Sequence, residues 1–161
     1  MSSELVLLSS SISLRVSAPV TTPIPPPVVL QGLIMKGLPN FATIDVSFIS
    51  LSLILPVLKT ILLPGGNVMA LVKPQFEAGK ENVGKKGIVR DPKIHLEVVE
   101  NIAEMATNIG FVVKDASYSP ITGGEGNIEF LFHLINPADN EIIEPFTDFK
   151  SIVQLAHQQF K

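Results

Sequence analysis

The chain has 161 residues, 46% hydrophobic and 17% charged, which suits one domain with its own core and excludes a disordered tail. It has no cysteine, so disulfides, thiolate metal sites and cysteine nucleophiles are excluded together. A net charge of −3 excludes a bulk polyanion binder, leaving only a local basic patch for any nucleic-acid contact.

Residues 1–37 hold seven serines, five of the 13 prolines and three charges, Glu4, Arg15 and Lys36. Pro23-Ile24-Pro25-Pro26-Pro27 is incompatible with helix or central strand. The flanking apolar runs, Leu5–Leu8 and Val28–Leu30, read equally as strands or as an unstructured leader. Glu4 stands where a signal peptide would carry positive charge. The stretch from Ile44 to Leu63 is the most apolar, but Asp45, Lys59 and Pro56 interrupt it, so it is not expected to span a membrane. A cytoplasmic protein is the simplest reading.

Order begins near residue 39. Phe41–Val46 is an apolar run broken by one acid, which suits a buried parallel strand. Ser50 to Leu63 has helical spacing, with Pro56 either kinking the helix or starting its second part. Pro64-Gly65-Gly66-Asn67 is a turn, and Val68–Val72 a second buried strand. Lys73 to Asp91 reads as a long polar loop. Asp91 then caps a helix opened by Pro92, with Ile94, Val98, Ile102, Met105 and Ile109 as its apolar stripe and Gly110 as its stop. Phe111–Ser119 and Asn127–Ile135 read as an antiparallel strand pair around Gly123-Gly124-Glu125-Gly126, and Phe149–Phe160 as a weaker amphipathic helix. The expected class is α/β: parallel strands with crossover helices, closed by an antiparallel pair.

Asp45 ends the first parallel strand, at the sheet edge where open α/β sheets bind ligands; it reads alternatively as a cap for the next helix. Lys73 ends the second strand at the same edge, where a carboxylate neighbour can tune it as a base or clamp; otherwise it is a loop lysine reaching into solvent. Glu129 sits within an apolar run, and on an outer strand alternation lets it face water instead. Asn127 either positions Glu129 or only closes the turn. Lys80, Lys85, Lys86, Arg90 and Lys93 outnumber Glu77, Glu81 and Asp91, so the loop can track phosphates or be merely solvated. His95, His133 and His157 lack ligand spacing, and no metal site is expected.

Four segments resemble the TlyA/FtsJ-like ribosomal RNA 2′-O-ribose methyltransferases, a family often labelled hemolysin. They are IDVSFISLSLILP (44–56), ALVKPQFEAGKENVGKKGIVRDP (70–92), IGFVV (109–113) and SPITGGEGNIEFLFHL (119–134). The resemblance covers about residues 39–160, leaving residues 1–38 as a leader outside the family pattern. It implies a Rossmann-like fold, S-adenosylmethionine (SAM) as cofactor, and ribosomal RNA or ribosomal subunits as partners. It also implies a Lys-Asp-Lys-Glu tetrad, in which Asp45 matches the acid beside the donor. Lys73 matches the lysine that orients or deprotonates the ribose 2′-hydroxyl, and Glu129 the closing glutamate that holds that lysine. Lys80, Lys85, Lys86 and Arg90 would then meet RNA. The family's S4-like domain, first lysine and G-x-S-T-G-G-F-T donor turn have no counterpart. The expectation is therefore the C-terminal half of such a domain, doubtful as a SAM binder, with a non-enzymatic remnant or weak RNA-binding module as the alternative. Pore formation follows only from the family label. Without a neighbour, the Phe41–Val46 strand would be an open apolar edge, inviting self-association or patching by Val28–Leu30.

Overall fold

The computed structural model describes residues 38–161 in full, together with the backbone of two earlier strands, β1 (Leu5–Leu8) and β2 (Ser11–Val16). Strand β3 (Phe41–Val46) leads into helix α1 (Leu51–Ile61), capped by the Ser50 hydroxyl and carrying Pro56 within it. Strand β4 (Asn67–Val72) is followed by the short helix α2 (Pro74–Glu77). Helix α3 (Pro92–Asn108) starts on the Asp91 carboxylate, which accepts the Lys93 N–H, and ends before Gly110, whose φ of +88° suits glycine. Strands β5 (Val112–Tyr118) and β6 (Phe130–Ile135) and helix α4 (Phe149–Gln159) complete the described chain.

The strands form one sheet in the order β1-β2-β3-β4-β6-β5. β2, β3 and β4 are mutually parallel, while β6 runs antiparallel to both β4 and β5. The expected antiparallel pair is present, but its last strand is not outermost. β6 inserts between β4 and β5, so it begins at the edge where the parallel strands end. α3 contacts both α1 and α4. Alternation supplies the core: Ala42, Ile44, Val46, Val68, Ala70, Val72, Phe130, Phe132 and Leu134 are buried, joined by Leu55, Leu58, Val99, Ala106 and Phe111. The opposite face is less covered, with Phe41 and Met69 exposed.

Two expectations change here. The edge of β3 is not open: β2 pairs with it in parallel from Ser11 opposite Phe41 to Val16 opposite Val46. That corrects the premise for self-association through this edge; Val28–Leu30 lies outside the described residues. The Lys73–Asp91 segment is not structureless either. It holds α2 and tight helical turns at Lys80–Asn82 and Lys85–Gly87, which satisfy local backbone groups.

Candidate active site

Parallel strands in register bring their C-terminal ends together, and with them the first residues of the loops beyond. Lys73 Nζ lies 2.6 Å from Asp45 Oδ1 and donates to Ser47 Oγ at 3.3 Å. The lysine side chain is only 12% exposed and the acid 49%, so the lysine is held and the carboxylate remains open to a ligand.

Glu129 arrives from the other direction. It lies one residue before β6 rather than inside a strand, and it is buried, so the water-facing alternative is overturned. Its Oε1 accepts a hydrogen bond from Gln75 Nε2 at 3.0 Å. Among the described residues Glu129 makes no ion pair; its link to Lys73 runs through the chain, by way of Gln75 two residues on. Gly123 packs against it, and a Cβ there would overlap the carboxylate.

One short segment therefore organises the site. Lys73 reaches the end of β3, Gln75 reaches Glu129, and Glu77 reaches the start of α1. The Glu77 carboxylate accepts from Ser50 Oγ at 2.7 Å and from Leu51 N–H at 2.9 Å, closing the loop between β3 and α1. An acid at a helix N-terminus is favourable, yet burial is the largest influence on Glu77 and pushes its pKa up; the two hydrogen bonds pull the other way. Asn127, also buried, accepts from Val89 N–H at 3.1 Å and donates to Gly87 O at 2.9 Å and Gly124 O at 3.0 Å. It does more than close its own turn, because it fastens the basic loop to the turn before Glu129. Sequence reasoning misses Gln75 and Glu77. Their spacing from Lys73 in Lys-Pro-Gln-Phe-Glu is the available signal, but a two-residue period in a loop has no meaning until the loop's path is known.

Lys80, Lys85, Lys86 and Arg90 are all exposed. Lys80 lines a groove of about 350 Å³ with Gln75, Phe76 and Val83. No cluster of three metal-ligating side chains occurs among the described residues. No described helix is long and apolar enough to cross a membrane.

A sheet of this order, with an acid–lysine pair across the ends of adjacent parallel strands, defines an α/β protein, a class in which ligands bind outside the carboxyl ends of the strands. The chain matches the description "FtsJ-like methyltransferase" over residues 21–135, and it belongs to that family. It is 56% identical over 128 residues to YqxC of Bacillus subtilis, an rRNA methyltransferase by name, covering 78% of this chain and 46% of that one. It is 35% identical over 106 residues to the 16S/23S rRNA (cytidine-2′-O)-methyltransferase TlyA of Mycobacterium tuberculosis, covering 66% and 40%. Among solved structures, a hemolysin-named protein of Streptococcus thermophilus superposes with a TM-score of 0.73 at 54% identity, over 79% of this chain and 46% of that one. The chain thus spans about half the length of these relatives.

Proposed function

We infer that this chain supplies the acceptor side of an RNA 2′-O-ribose methyl-transfer site. The observation that carries the reading is the 2.6 Å contact between Lys73 Nζ and Asp45 Oδ1 at the carboxyl edge of β3 and β4. An ammonium held there, largely out of solvent, can orient a ribose hydroxyl and stabilise the charge that develops as its proton leaves. Glu129, through Gln75, positions the segment that carries the lysine. Lys80, Lys85, Lys86 and Arg90 meet phosphates beside it. The relatives named for rRNA methylation make ribosomal RNA the partner that this reading favours.

The family's methyl donor is SAM, which supplies an activated methyl group when bound. The described residues do not fit it on their own. Asp45 is half-exposed as a donor-side acid, but the segment between β2 and β3, whose glycines are Gly32 and Gly37, contains no G-x-G-x-x-G pattern for a tight turn against the donor. A donor site would need residues beyond those described.

Two measurements test the reading. Calorimetric titration of the full chain with SAM is expected to show no saturable binding up to millimolar donor; tight stoichiometric binding would show that the donor side is here after all. Second, residues 39–161 are grafted in place of the matching half of YqxC, with intact YqxC as reference. Methylation of ribosomal RNA by the graft should survive, and Lys73→Met or Asp45→Asn in it should lower the rate about 100-fold or more. A graft as active with Lys73→Met as without it defeats the acceptor-side assignment.

A further inference from the structure

Helix α1 has one apolar flank that stands open. Leu53 and Val57, four residues apart and so one above the other, are 58% and 41% exposed. The other flank is occupied: Lys59 Nζ donates to Gly110 O at 2.6 Å, just where α3 has ended. Leu53 and Val57 lie about 120° and 160° around the helix from Lys59. They therefore point away from α3, toward the side of the sheet on which β2 flanks β3.

The connection between β2 and β3 has its two ends at the two ends of this helix. β2 stops at Val16, opposite Val46, at the carboxyl edge from which α1 starts. At the other edge Leu63 N–H, just past α1, donates to Pro39 O at 2.9 Å. A connection between adjacent parallel strands has to cross one face of the sheet, and it is right-handed in about 98% of cases. The step from β2 to β3 and the step from β3 to β4 run in the same direction across the sheet. The same hand therefore puts both connections on the same face, and the second of them is α1.

We propose that residues 28–35 cross the sheet beside α1 and dock on Leu53 and Val57, which makes the residues before β3 a working part of the domain. The chemistry of the two sides matches. No charged residue occurs from Val16 to Met35, and Val28, Val29, Leu30, Leu33, Ile34 and Met35 fall close together within that stretch. Burying such a run against an open apolar flank removes both from water. A bilayer is a poor alternative, since a spanning helix takes about 20 apolar residues and this run is short and follows Pro23-Ile24-Pro25-Pro26-Pro27. A second copy of the chain is a poor one too, because it would have to displace a connection already tied to both ends of α1.

The full chain has no cysteine, so disulfide trapping reads the contact without interference. Val57→Cys is combined with Leu30→Cys or with Leu33→Cys, and Met69→Cys, on the opposite face of the sheet, is combined with each as control. A disulfide closes only when the two Cα atoms come within about 7 Å. Under mild oxidation at low protein concentration, a Val57→Cys pair should close within one chain about ten-fold faster than either Met69→Cys pair, followed by free-thiol count and by mobility on a non-reducing gel. Closure that is as fast with Met69→Cys, or that fails in every pair, overturns the docking. Closure of the Val57→Cys pairs only between chains also overturns it, and makes a second copy the occupant. Limited thermolysin digestion gives a check that needs no cysteine. Val57→Asp places a charge in the flank and should speed cleavage within residues 28–35 about ten-fold, with cleavage in α3 unchanged. A native chain cut there as fast as Val57→Asp would equally sink the proposal.

Discussion

Asn127 joins three backbone groups through one side chain, and two of them belong to the loop some forty residues earlier in sequence. Its amide is suited to this because it both donates and accepts. Alanine at this position would leave the Val89 N–H without a partner in a buried setting, and desolvated donors are costly. Asn127→Ala should destabilise the protein by about 2–4 kcal/mol, with faster amide exchange at Gly87–Val89 than elsewhere. Asn127→Asp keeps the acceptor but sets a carboxylate against two carbonyls, so it should not rescue. Urea denaturation with exchange mass spectrometry measures both; a loss below about 1 kcal/mol, or exchange unchanged at Val89, means that the loop is held by something else.

Helices α3 and α4 meet at His95 and His157. Nδ1 of His95 and Nε2 of His157 lie 2.8 Å apart and share a proton between them, and His95 is fully buried against the edge of Phe130. Burial, and then the neighbouring His157, push the His95 pKa down to about 4, with Asp91 acting weakly in the other direction; burial lowers that of His157 also. The folded state thus binds its proton less readily than the unfolded chain, whose histidines titrate near 6.5. Stability from this contact is complete above about pH 6.5 and is lost as pH falls toward 4, where the folded form also protonates. The advantage of the native chain over His95→Leu in urea midpoint should shrink between pH 7 and pH 5, and an advantage that is constant over that range would mean His95 does not titrate differently on folding. At this scale much of the architecture is legible in the sequence. Periodicity marks β3, α1, β4, α3 and α4, because each buries one face. It marks Asp45 and Lys73 because a parallel strand's end is itself a position in the fold. It misses the depth of Glu129, because a short connection establishes that β5 and β6 pair and not on which side of β5 the partner lies. With β6 placed between β4 and β5, the residue before it is enclosed rather than outermost. The expected stripe of α3 is likewise only partly right: Ile94 and Met105 are half-covered, whereas His95, Val99 and Ala106 lie deep, since α4 widens the buried face.

Across the whole molecule the question is how a sheet of this kind ends. β5 forms one border, and it is blunted: exposed Lys114 and Asp115 and an irregularity between Val113 and Asp115 discourage further pairing. The other border would be β3, an apolar strand in the interior of the parallel ladder, were β2 not paired along it with Leu14 opposite Ile44. β1 then closes the sheet as a strand of only four residues, too short to template a long pairing. Ser11–Val16 alternates polar and apolar residues as a half-buried strand does, but alternation alone does not say which strand it pairs with, and the proline-rich run that follows draws the segment toward a leader reading. Removal of β2 should therefore have a visible consequence. A chain of residues 38–161 should expose the β3 ladder and associate with concentration, whereas the full chain stays at constant mass in light scattering behind size exclusion. Leu14→Pro takes one donor out of the central strand and should shift the full chain toward the behaviour of the truncated one. A truncated chain that remains monomeric at high micromolar concentration would show that β2 is not what protects the edge, and that the uncovered sheet face around Phe41 and Met69 must be turned from its neighbours by some other means.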